Sequence, residues 1–84
     1  MPAIAIFYGI IIKMFFGQRE HNPPHLHAIY GEYEGMFDLR SMNMFEGDLP
    51  GRAVKLVQEW MALHQADLLA MWNSKNIYKL PPLE

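Results

Sequence analysis

The chain has 84 residues, no cysteine and a formal net charge of −2, with seven Lys and Arg against nine Asp and Glu. That length allows a single domain, 1–84, with one small core, and the missing cysteines exclude disulfides, thiolate metal ligands and a thiol nucleophile. The acidic balance, with cations scattered from Lys13 to Lys79, counts against a strong nucleic-acid footprint.

The first predicted element is residues 4–16, IAIFYGIIIKMFF. Its β-branched and aromatic content reads as strand, with Gly9 marking a bulge or bend. Tyr8, Ile10, Ile12, Met14 and Phe16 fall on one face and Phe7, Ile11 and Phe15 on the other. A strand apolar on both faces is buried on both, so a second cover is expected, either the C-terminal tail or another subunit. No cation precedes the run, Lys13 interrupts it, and it is shorter than the roughly 18 residues of a membrane span. The expectation is a cytoplasmic protein with no membrane partner.

Residues 17–24, GQREHNPP, form a loop, and Pro23 and Pro24 hold its end extended. A second strand is expected at 25–30 and a third at 33–39, joined by a two-residue hairpin turn at Gly31-Glu32. A turn at Arg40-Ser41 leads to a short fourth strand at 42–46. The helix is expected over 50–74, with Pro50 at its first position. Ala53, Leu56, Val57, Trp60, Leu63, Leu68 and Met71 make its apolar stripe, which Met61 and Trp72 broaden. An extended tail, 77–84, follows. The fold class is therefore α+β: an antiparallel sheet of three to four strands, then one long amphipathic C-terminal helix packed on one face.

Hydrophobic residues make up 51% of the chain and charged residues only 19%, against about 25% charged in average domains. Little charge, a broad helix stripe and seven methionines favour an adaptable contact surface and a homo-oligomer, such as a homodimer. The competing explanation is a methionine-rich core with the tail folded over the stripe.

Three of the four histidines lie within seven residues: His21, His25 and His27. The Gly31-Glu32 turn fixes the register, pairing Leu26 with Phe37 and Ala28 with Gly35 on the core face. His25 then faces Asp38, His27 faces Met36 and Ile29 faces Glu34 on the opposite face, pointing away from the packed interior. Three chemistries fit that placement. His25, His27, Asp38 and Glu34 offer imidazole and carboxylate ligands for a divalent, zinc-like metal. His25, His27 and Asp38 also fit a catalytic group in which Asp38 orients His25 as a general acid or base. A hydrogen-bonded polar cluster anchoring the Asn-Pro-Pro loop is the third and leading reading. His64, within the helix stripe and three residues from Asp67, reads as a partly buried, mutually satisfied polar pair with it. No phosphate loop, nucleophile elbow or His-Glu helix motif occurs.

MPAIAIFYGIIIKMFF, EHNPPHLHAIYGEYEG and EGDLPGRAVKLVQEWMALHQADLL together resemble the bacterial domain-of-unknown-function family DUF4160 over nearly the whole chain. RSMNMFEG is less polar than the family pattern. The positions matching the family's recurrent residues are His21, Asn22, Pro23, Pro24, His25, His27, Tyr30, Gly31, Arg52, Trp60 and His64. The resemblance supplies no established activity. It implies a partner, because genes of this family often lie beside that of a second small protein, in a layout similar to toxin–antitoxin pairs. The leading expectation is a protein–protein interaction component of such a two-gene module. The alternatives are a histidine- or metal-dependent enzyme, such as a nuclease, and a dimeric nucleic-acid-binding regulator.

Overall fold

The apolar run that opens the chain does not stay extended. In the computed structural model, which describes residues 3–16 and 23–84, it reverses at Tyr8-Gly9 into two strands, β1 (Ala5–Phe7) and β2 (Ile10–Lys13). Tyr8 and Gly9 both have positive φ, 51° and 79°, the backbone of a type I′ hairpin turn, whose twist matches that of the flanking strands. The single strand expected over 4–16 is therefore a hairpin, and among the described residues the sheet has five strands rather than three to four. The reversal also changes the faces. Phe7 pairs with Ile10, so it joins Ile10, Ile12 and Met14 in the core, while Ile6 and Ile11 form a pair on the other side.

The remaining strands are β3 (His25–Tyr30), β4 (Tyr33–Asp38) and β5 (Met44–Asp48), followed by α1 (Gly51–Ser74). All neighbours are antiparallel, and the spatial order is the chain order, β1 to β5. The turn at Gly31-Glu32 forms as expected. It sets His25 opposite Asp38, Leu26 opposite Phe37, Ala28 opposite Gly35 and Tyr30 opposite Tyr33. Between β4 and β5 the register slips: Met36 faces Glu46 but Phe37 faces Met44, leaving Phe45 as the extra residue of a bulge. Gly47, at φ 96°, lies so close to β4 that an added Cβ would strike the Glu34 carbonyl oxygen.

The helix packs on one face of the sheet. Ala53, Val57, Trp60, Met61, Leu68, Met71 and Trp72 are its buried residues, and the Trp60 ring lies 5.6 Å from that of Phe7. Pro50 is the N-cap rather than the first helical residue, and Lys75 closes the C-terminus in the left-handed conformation. Leu63, placed in the stripe by its spacing, is 70% exposed. At 100° per residue it lies about 110° from the stripe's centre, beyond the reach of the sheet. His64 has φ −124° and ψ 17°, a break in the helical geometry. Gln58 and Gln65, on either side of it, donate to the carbonyls of Met42, Leu39 and Arg40 and so clamp the β4–β5 connection to the helix.

The tail returns to the helix side. The Leu80 amide donates to the Ile4 carbonyl at 3.0 Å, and the Trp60 Nε1–H donates to the Pro81 carbonyl at 2.8 Å. Leu80 is buried. The tail thus ties Trp60 of the helix to the residue just before β1. Among the described residues, no helix is long and apolar enough to cross a membrane.

Candidate functional site

The paired prolines lead the chain into β3: the Pro24 carbonyl accepts a hydrogen bond from the Leu39 amide, extending the β3–β4 ladder. Alternation along β3 then sends Leu26 and Ala28 toward the helix, and His25 and His27 to the other face. The two imidazoles are on the expected side of the sheet, yet they are not solvent-facing. His25 is 2% exposed and His27 7%. Their ring centroids are 5.2 Å apart.

Aromatic side chains provide the cover. Phe15 meets His27 edge-on at 4.8 Å, and Phe45 meets His25 edge-on at 5.8 Å. Trp72, at the end of α1, comes within 5.3 Å of His25 and packs against Phe16. The Lys75 ammonium sits 4.6 Å from the Trp72 ring centre and 5.2 Å from that of Phe16, a cation–π arrangement. The expectation that the rings point away from the interior is therefore corrected. They leave the helix-facing core but enter a second aromatic cluster that wraps the strand ends. Three of its members, Phe15, Phe45 and Trp72, carried no signal in the histidine motif itself, and Phe45 reaches His25 only because the bulge re-aims it.

Buried polar atoms need partners. His25 donates its Nδ1–H to the Pro23 carbonyl at 2.6 Å. His27 Nδ1 lies 2.9 Å from Glu34 Oε2, where the carboxylate accepts. Asp38 is opposite His25 in register but does not orient it. Its Oδ1 accepts the backbone N–H groups of Arg40 and Ser41 at 2.7 and 3.3 Å, stabilising the turn into β5. Of the four candidate ligands, the structure joins His27 with Glu34, stacks His25 beside them, and commits Asp38 to the backbone. Among the described residues, no three His, Cys, Asp or Glu side chains are grouped to hold a metal ion. His21 and Asn22, part of the same sequence motif, lie outside the described residues.

The expected His64–Asp67 pair is not formed. His64 packs on Trp60 at 5.1 Å, while Asp67 Oδ1 accepts the Tyr78 hydroxyl at 3.1 Å. Tyr78 is held above its ordinary pKa of 10.0, first by desolvation and then by the Asp67 carboxylate that takes its hydrogen bond.

The second feature is the part of that same sheet face that, among the described residues, lies beyond the helix and the aromatic cluster. Register places Ile6, Ile11, Ile29, Glu34 and Asp48 in one row across all five strands, and Lys13, His27, Met36 and Glu46 in the next. Ile6 is 60% exposed and Phe45 45%; Ile11, Ile29 and Met36 are half-buried. Solvated faces of antiparallel sheets ordinarily alternate to polar residues. Here the centre of the exposed face is aliphatic. A separate groove of about 280 Å³, lined by Tyr8, Tyr30, Arg52 and Leu56 among others, lies at the start of the helix and includes none of the histidines.

Residues 9–73 match the family model described as a domain of unknown function, DUF4160. No curated protein and no solved structure matches the chain.

Proposed function

The chain belongs to the DUF4160 family, and from that premise we propose that it is a protein–protein interaction component of a two-gene, toxin–antitoxin-like module. The uncovered sheet face is its contact surface. One observation carries the reading: the helix packs on one side of the sheet, and among the described residues Ile6, Ile11 and Ile29 stand in a row on the other, with Ile6 60% exposed. Contiguous apolar surface of this kind, rimmed by charge, marks interaction sites. The histidine pair supports the surface from beneath: His27 fixes Glu34, and Phe45 is held against His25 at its margin.

Co-expression with the product of the adjacent gene, followed by size exclusion with light scattering, tests the proposal. The expected result is a stoichiometric complex that Ile29→Lys disrupts while the variant keeps its circular dichroism spectrum. A monodisperse monomer that ignores the neighbouring product overturns it.

A further inference from the structure

The charge on the uncovered face is strongly one-sided. Among the described strand residues, the charged side chains directed to this face are one cation, Lys13, and four carboxylates, Glu34, Asp38, Glu46 and Asp48, for a net charge of −3. The whole chain carries only −2, so these strand residues hold more net negative charge than the chain as a whole. Among the described residues, the acidic excess is gathered on the sheet face opposite the helix core.

Its placement is more specific than its total. The aliphatic centre is supplied by β1 to β3, and the carboxylates by β4 and β5, so the face is apolar on one side and acidic on the other. Asp38 is satisfied by backbone N–H groups. Glu34, which accepts from His27 at 2.9 Å, and Asp48 are directly opposite one another across β4 and β5. Like charges in that position destabilise a sheet, and both residues are exposed, as is Glu46. A cation brought by a partner relieves that repulsion, whereas the same strand face of a second copy offers, among its described residues, Lys13 to three carboxylates.

We infer that the occupant of this face is a protein segment of amphipathic and basic character. Its apolar side chains cover Ile6, Ile11 and Ile29, and its Lys or Arg side chains lie over Glu34, Glu46 and Asp48. This rests on the interaction reading above and adds the partner's chemistry to it. Electrostatic complementarity of this kind selects the partner and speeds encounter, and it weakens with salt.

The test is titration calorimetry of the adjacent-gene product into the wild-type protein and into the double variant Glu46→Lys with Asp48→Lys, at about 50 mM and about 500 mM salt. Thermal melts of both proteins serve as the control for folding. The inference expects binding to the wild type to weaken at least about tenfold at the higher salt and by a similar factor in the double variant. It also expects the variant to lose most of its salt dependence. Because Asp48→Lys removes the repulsion with Glu34, the variant is expected to melt no lower than the wild type. Equal binding by both proteins at both salts overturns the basic partner but leaves the interaction reading standing. No binding to the wild type at either salt overturns the interaction reading, and the inference with it.

Discussion

His27 Nδ1 lies 2.9 Å from Glu34 Oε2, joining a ring buried under Phe15 to a carboxylate exposed on the uncovered sheet face. Paired across neighbouring rows of the sheet, these residues link the second aromatic cluster to the surface above it. The histidine motif is thereby a structural support as well as a marker of where the surface lies.

His25→Ala and His27→Ala are each expected to lower the unfolding free energy by about 2–3 kcal/mol, from lost packing and an unpaired carbonyl or carboxylate. Urea unfolding measures this directly. An unchanged midpoint in both variants contradicts the buried placement of the rings.

Tyr8 occupies a left-handed turn position that asparagine and glycine adopt far more readily. Tyr8→Asn is expected to raise stability by about 1 kcal/mol, seen as a higher melting temperature. A lower melting temperature shows that the Tyr8 ring contributes more through its contacts than its backbone strain costs.

Gly47→Ala is expected to destabilise by about 2–3 kcal/mol, since the new methyl group meets the Glu34 carbonyl and φ is 96°. The same substitution at Gly51, where a Cβ meets nothing within 4 Å, is expected to be neutral or mildly stabilising. Chemical unfolding of the two variants side by side separates local crowding from a general intolerance of alanine.

Tyr78 titrates above 10.0 in the folded chain because of desolvation and Asp67. A pKa raised on folding favours the protonated form. Its stabilising contribution is therefore complete below pH 10.0 and is lost as pH rises through the folded value. Ultraviolet titration of the phenol is expected to show this component moving back toward 10.0 in Asp67→Asn. An unmoved titration contradicts the Tyr78–Asp67 contact.

Much of the architecture was legible because its signals were local. Gly31 followed by Glu32 defined a two-residue hairpin, and that alone set every β3–β4 pair and the face of each histidine. The hairpin at Tyr8-Gly9 was hidden because a tyrosine stands where asparagine or aspartate would have announced the turn, inside a run apolar throughout. The site was legible only in part. Alternation along a strand gives the direction of His25 and His27 but not what covers them, and their cover comes from Phe45 at a bulge and Trp72 at the far end of the helix. Asp38 was read from its opposite neighbour in the register, while its carboxylate is claimed by amides two and three residues on. The spacing of His64 and Asp67 assumed an unbroken helix, and the helix is broken at His64.

The central claim is that the uncovered sheet face meets the partner. Methyl-labelled isoleucines report on it directly, because Ile6, Ile11 and Ile29 lie on that face and Ile4, Ile10 and Ile12 are buried in the main core. On adding the adjacent-gene product, the account predicts methyl shifts at Ile6, Ile11 and Ile29 with Ile4, Ile10 and Ile12 essentially unmoved. A bound complex in which the first three signals stay in place contradicts it.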